Sequence, residues 1–122
     1  MHYRDLEVYK RSYKLALEAH EVSRSLPKEL QYDLADQLRR AARAIPANIA
    51  EGCGRQKSSK DTVNFLRTAL GSNDEVLFNI EFCKDARLIS KDVAEKLRGE
   101  YEILGKQLNK LIQSISPVTR NQ

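Results

Sequence analysis

The stretch Gln37–Lys60, QLRRAARAIPANIAEGCGRQKSSK, decides the fold of this chain. Its residues are mostly strong helix formers, and Leu38, Ala41, Ile45 and Ile49 recur three and four apart, the spacing of one helix face. Pro46 stands inside that pattern. A proline there cannot donate to the carbonyl of Ala42 and costs about 3 kcal/mol in a helix interior, so a kink is expected. Close packing of the small residues Ala42, Ala44, Ala47 and Ala50 is the expected compensation. Gly52 and Gly54 then end the helix, since glycine accepts the left-handed backbone of a helix C-terminus. From Arg39 to Lys60, six basic residues are set against one acid, Glu51, a local balance of +5 in a chain whose total is +4.

On either side of this segment the pattern predicts three more helices. Leu6, Tyr9, Tyr13, Ala16, Leu17 and His20 give a first helix over about residues 5–25, with that stripe as its expected core face and Pro27 as its stop. The proline-bearing helix itself spans about 29–51 and adds Leu34 to its face. A third, about 59–87, opens at Ser58 or Ser59, either able to cap it, and carries Phe65, Leu66, Ala69, Asn73, Val76, Ile80 and Cys83 on one side. Ser90 caps a fourth, about 90–116, where Leu97, Tyr101, Leu104, Leu108, Leu111 and Ile115 form a heptad seam. Pro117 closes it and residues 117–122 form a frayed tail. Four such helices on short loops predict an all-α, antiparallel up-down four-helix bundle, one domain over residues 1–122.

Composition agrees with that class. A chain of 122 residues is the size of one domain, and 41% hydrophobic with 31% charged residues describes a charge-rich globular protein. No run approaches the ~20 apolar residues of a membrane span, and the opening MHYRDLEVYK lacks the apolar centre of a signal peptide. Two cysteines, Cys53 and Cys83, are too few for a disulfide framework, so a reducing cytoplasm is the expected location.

Some apolar positions exceed what one bundle can bury. Val8, Ser12, Leu15, Ala19 and Val22 make a second stripe on the first helix, nearly opposite the Leu6–Tyr13–His20 face. Phe78 and Phe82 point away from the Phe65–Val76 side, and Ala44–Ala50 is apolar apart from Asn48. A helix that is apolar all round is normally buried all round. Val8, Leu15, Val22, Ala47, Ala50, Phe78 and Phe82 are therefore the expected interface of a homo-oligomer; singly exposed apolar residues are the plainer alternative. Asn48 and Glu51 fall among apolar neighbours and are expected to share a structural polar network with Ser72 and Asn73.

The helix QLRRAARAIPANIAEGCGR resembles the hallmark of a bacterial family of small four-helix bundles encoded in intervening sequences of 23S ribosomal RNA genes, formerly called a ribosomal protein. FLRTALGSNDEV, Phe65–Val76, is similar to the family's third-helix pattern, and the opening with Tyr3, Leu6, Val8 and Leu26-Pro27 fits as well. Asn73-Asp74 departs from it, since the family more often has an apolar residue and then any residue before the glutamate. The resemblance covers essentially the whole chain. It implies assembly as a homopentameric ring, and kinship with the accessory variability determinant of diversity-generating retroelements, a basic pentamer that binds nucleic acid and a reverse transcriptase. It implies no settled biochemical activity.

The chemistry-bearing groups are few. Arg39 and Arg43 lie one turn apart with Arg40 beside them, and Arg55, Lys57 and Lys60 follow. Arginine is always charged and forked, which suits phosphate, so these six are the candidate nucleic-acid-binding residues. The alternative is a solvated face paired with acids such as Asp33 and Asp36. Lys106, Lys110 and Arg120 offer a second basic surface. His2 and His20 lack partners at metal-ligand spacing, Cys53 has no evident base, and Gly52-x-Gly54 lacks the strand–turn–helix setting of a phosphate loop. Tyr3, Tyr9 and Tyr13 could stack on bases, but Tyr9 and Tyr13 fall on the expected core face. The expected function is thus binding of structured RNA or DNA by a homo-oligomer, without catalysis, cofactor, metal or membrane. The alternative is a protein-interaction scaffold or adaptor for a polymerase-like partner.

Overall fold

Four helices make up most of the computed structural model, which describes residues 2–54 and 57–116. They are α1 (Glu7–Arg24), α2 (Leu34–Gly52), α3 (Ser59–Asp85) and α4 (Lys91–Ile115), with single 3-10 turns at Tyr3–Asp5 and Lys28–Leu30 and no strand among the described residues. Each helix packs on its sequence neighbour, α4 returns to α1 along a thinner seam, and the diagonal pairs stay apart. This is the antiparallel up-down arrangement that short links favour. It gathers the N-terminus, the α2–α3 link and the end of α4 at one end of the bundle.

The start signals are local. Ser58 Oγ accepts the N–H of Asp61 at 3.1 Å and opens α3, and Ser90 Oγ accepts the N–H of Val93 at 3.1 Å and opens α4. In α2, Leu38, Ala41, Ala42, Ile45 and Ile49 are buried, and the helix continues unbroken through the buried Pro46. In α4 the buried positions are Ala94, Leu97, Tyr101, Leu104, Leu108 and Ile112. After Leu108 the next buried step is four, so Ile112 rather than Leu111 or Ile115 closes the core. That is the drift of a straight 3.6-residue helix away from a heptad.

The two faces of α1 are exchanged relative to the sequence expectation. Val8, Ser12, Leu15, Ala19 and Ser23 point into the core, Leu15 at 1% exposure, and Val22 packs against them. Val8 and Leu15 are therefore core residues and not oligomer interface, while Val22 is partly buried at the edge of the core. Tyr13 and Leu17 stand outside at 52% and 58% exposure, with His20 exposed as well, while Ala16 is buried and Leu6 and Tyr9 are partly buried. The cause is size and satisfaction. Ser12 Oγ donates to the Tyr9 carbonyl at 3.0 Å and Ser23 Oγ to that of His20 at 2.6 Å, so these hydroxyls enter the core already paired. Small side chains let α1 approach closely, whereas Tyr13, with its polar hydroxyl end, stays at the surface.

α2 begins at Leu34 rather than near Glu29, because the preceding residues serve α1. Gln31 Nε2 donates to the carbonyls of Ser23 at 2.8 Å and Leu26 at 2.9 Å, satisfying groups a helix end leaves open. Arg39 locks this cap. Its Nη1 donates to Ser23 Oγ at 2.9 Å and Gln31 Oε1 at 3.1 Å, and its Nη2 to the Gln31 carbonyl at 2.8 Å. This is the polar network that the sequence reading sought elsewhere. Asn48, Glu51, Ser72 and Asn73 do not join one another: Asn48 Nδ2 turns back to the Ala44 carbonyl at 2.8 Å, Glu51 is exposed and pairs with Lys57, and Asn73 Nδ2 donates across to the Tyr101 carbonyl at 3.0 Å. Asn73 is turned to α4, and the Asn48 amide is spent within its own helix.

The helix ends also depart from expectation. No described glycine has positive φ, so Gly52 does not serve as a left-handed cap; it ends α2 where α3 passes close by. The left-handed position is Arg87, φ 61°, after α3. There the N–H of Leu88 reaches the Cys83 carbonyl at 2.8 Å and that of Arg87 the Lys84 carbonyl at 3.0 Å, a Schellman closure with Leu88 packed near Cys83. A side chain at such a residue is strained. Arg87→Gly is expected to raise the unfolding free energy by about 0.5–1 kcal/mol in urea titration, offset in part by glycine's larger unfolded-state entropy.

Candidate functional site

The exposed stripe of α1 forms one wall of a surface groove. Tyr9, Tyr13, Leu17 and His20 face Arg43, Pro46, Ala47 and Ala50 of α2 across about 410 Å³ of largely apolar space. Because Ala47 and Ala50 are small, α2 presents a low floor beneath the taller tyrosines. Tyr9 lies 5.9 Å from Tyr13 and 5.0 Å from Tyr3 between ring centroids, so the α1 wall continues as an aromatic row toward the N-terminus. Sequence reasoning placed Tyr13 and Leu17 inside. The available signal was the residue type, since tyrosine has an apolar body with one wet end. Phe78 and Phe82, on the outward side of α3, are a second apolar patch at 68% and 50% exposure.

The six basic candidates separate. Arg39 spends three hydrogen bonds on the α1 cap and is not free for phosphate. Arg40 is exposed and pairs with Asp36 at 3.5 Å, an i,i+4 pair of little energetic weight. Arg43 lines the groove. Lys57 pairs with Glu51 at 3.3 Å and sits 5.2 Å from the centre of the Phe65 ring. Lys60 is exposed at the start of α3. Arg55 and Arg120 lie outside the described residues. Lys106 and Lys110 are exposed on the second half of α4, which runs toward the end of the bundle where Lys57 and Lys60 lie; Lys106, next to Gly105, is level with Leu70 and Asn73 of α3.

Burial pushes the thiols of Cys53 and Cys83 above the ordinary cysteine range, so both stay protonated and poorly nucleophilic near neutral pH. Burial also raises the phenol of Tyr101, whose Oη has no hydrogen-bond partner among the described residues. Among those residues no three His, Cys, Asp or Glu side chains gather as a metal site, and no helix is long and apolar enough to cross a membrane.

The family model for 23S rRNA-intervening sequence proteins matches residues 4–110 of the chain. No match is found among curated proteins. Among solved structures, the chain is similar to a protein of unknown function from the S23 ribosomal protein family of Bacteroides thetaiotaomicron VPI-5482. That likeness has a TM-score of 0.81 at 23% identity over 87% of this chain and 98% of the other, and it extends to the fold alone.

Proposed function

This chain belongs to the 23S rRNA-intervening sequence protein family, and on that premise we propose that it is a self-assembling, non-enzymatic bundle that binds the phosphate backbone of structured RNA or DNA. One observation carries the reading. Antiparallel connectivity runs α4 toward the start of α3, so that Lys106 and then Lys110 lead along α4 toward the end of the bundle that holds Lys57 and Lys60. Lys60, Lys106 and Lys110 make no ion pair among the described residues, and the sequence has no acid after Glu102. Lysine serves phosphate as a point charge, which positions a nucleic acid without reading its bases. A few such contacts per subunit are weak alone. Several copies held in one assembly gain effective concentration, which is why self-assembly belongs to the reading. Arg40 remains a peripheral contributor, while Arg43 belongs to the groove.

The test is the triple substitution Lys60→Glu, Lys106→Glu, Lys110→Glu, read by fluorescence anisotropy against a structured ribosomal RNA fragment. The expected result is weakened binding and a log–log salt slope shallower by about one per lysine, with helicity and solution mass unchanged. Unchanged affinity and slope would reject the basic end as the binding surface. A wild-type protein that binds no nucleic acid at low salt would leave the scaffold reading in its place.

A further inference from the structure

We infer that the outward face of α4 is a track for a nucleic-acid backbone, running from Lys96 through Lys106 to Lys110, with Gly99 as its point of closest approach. The inference rests on the nucleic-acid part of the proposed function and names the surface along which the strand lies.

Spacing defines the face. Lys96, Gly99, Ile103, Lys106 and Lys110 follow one another by steps of three, four, three and four, so they share one side of α4. Leu97, Tyr101, Leu104 and Leu108 take the other side and are buried. All three lysines are exposed, and Ile103 is 47% exposed. From Lys96 to Lys110 the stripe covers about 21 Å of helix at 1.5 Å per residue. It leads toward the end of the bundle that holds Lys57 and Lys60.

The charge along this face is uncompensated, because the glutamates of α4 are engaged elsewhere. Glu95 pairs with Arg98 at 3.0 Å and with Lys84 at 3.8 Å, Glu102 with Arg98 at 3.5 Å, and Glu100 with Arg11 of α1 at 3.6 Å. Lys96, Lys106 and Lys110 make no ion pair among the described residues. Asp92, one turn before Lys96, lies in the first turn of α4 and bounds the track at that end. A row of unpaired lysines with no acid on the same face between them complements a polyanion.

Gly99 supplies an independent reason. Glycine in a helix interior is about 1 kcal/mol less favourable than alanine. A Cβ at Gly52 would strike Phe65 of α3, but one at Gly99 would meet nothing within 4 Å, so no packing inside the chain calls for glycine there. It leaves bare backbone among the lysines, where a sugar–phosphate strand can lie closer than a side chain would allow. A local choice that weakens the helix without an internal reason belongs to a functional surface.

Three variants test this by fluorescence anisotropy against a structured ribosomal RNA fragment at several salt concentrations. Lys96→Gln should make the log–log salt slope shallower by about 0.7–0.9, the loss of one backbone contact. Gly99→Gln should weaken binding about tenfold at every salt concentration with the slope unchanged, because it obstructs approach and removes no charge. It should also raise the urea midpoint, since glutamine is the better helix former, so the lost affinity cannot come from unfolding. Lys14→Gln, at an exposed and unpaired lysine of α1, is the control and should leave the slope unchanged. If wild type binds and both Lys96→Gln and Gly99→Gln bind as it does, the α4 track is overturned while nucleic-acid binding stands. If Lys14→Gln flattens the slope as much as Lys96→Gln, the attraction belongs to the whole surface and the track is overturned as well. A wild-type protein that binds no RNA at low salt removes the proposed function and the track with it.

Discussion

Arg39→Ala is expected to lower the unfolding free energy by about 2–4 kcal/mol, a fall of roughly 10 °C in Tm for a domain of this size. The side chain lies on a helix surface of high charge, where a substitution ordinarily moves stability by less than about 0.5 kcal/mol. The difference lies in what the guanidinium holds. Its three hydrogen bonds reach Ser23 and Gln31, and Gln31 in turn covers the carbonyls of Ser23 and Leu26 at the end of α1. Removing it leaves a half-satisfied cap over the buried Ser23, and an unpaired buried group costs about 1–3 kcal/mol. Arg39→Lys should recover less than half of the loss, because an ammonium cannot fork between the two residues. Urea titration with both variants checks this. A loss below about 0.5 kcal/mol for Arg39→Ala would mean the cap does not depend on it. Folded Arg39→Ala protein should bind RNA as wild type does, which separates the clamp from a phosphate ligand.

Gly52→Ala should destabilise by about 1–3 kcal/mol, although alanine is the better helix former by about 1 kcal/mol. A Cβ at this position would lie 2.6 Å from Phe65 Cβ and 3.3 Å from the Thr62 carbonyl oxygen. Phe65 Cβ is fixed to its own backbone, so no rotamer change relieves the contact and α3 itself must move. The same approach lets Thr62 Oγ1 donate to the Gly52 carbonyl at 2.7 Å, closing the C-terminus of α2, and movement would lengthen that bond. Gly99→Ala is the internal control. Its Cβ meets nothing within 4 Å, so there the helix propensity acts alone and the variant should gain about 0.5–1 kcal/mol. Both substitutions gaining stability would show that α2 and α3 do not approach as described.

Helices with one apolar stripe were legible from sequence, and those with two were not. For α3 and most of α4 the expected and the buried positions largely coincide, because polar positions on the other faces leave one choice, and in α2 the large residues Leu38, Ile45 and Ile49 mark the inward side. In α1 both stripes have helical spacing, and the outer one is the larger and more aromatic. Its inward choice is set by Ser12, Ala19 and Ser23, whose small size and self-paired hydroxyls matter only once neighbouring helices are present. Arg39 was misread for a related reason. Its partners are Ser23 of α1 and Gln31, and the pattern assigned Gln31 to a helix instead of to the α1 cap. The role of Gly52 depends on Phe65, thirteen residues away across a turn, and spacing alone cannot show that approach. The outward position of Phe78 and Phe82 was visible, because they fall off the only core face α3 offers.

An assembled bundle that binds the phosphate backbone has a salt-dependent affinity. That dependence is tested most directly by anisotropy titrations of a structured ribosomal RNA fragment with wild-type protein at several salt concentrations. Binding that tightens at low salt, with a log–log slope of magnitude about 2 or more, is the predicted result, each backbone contact adding about 0.7–0.9 to it. Absent binding at low salt, or affinity that does not change with salt, would contradict it.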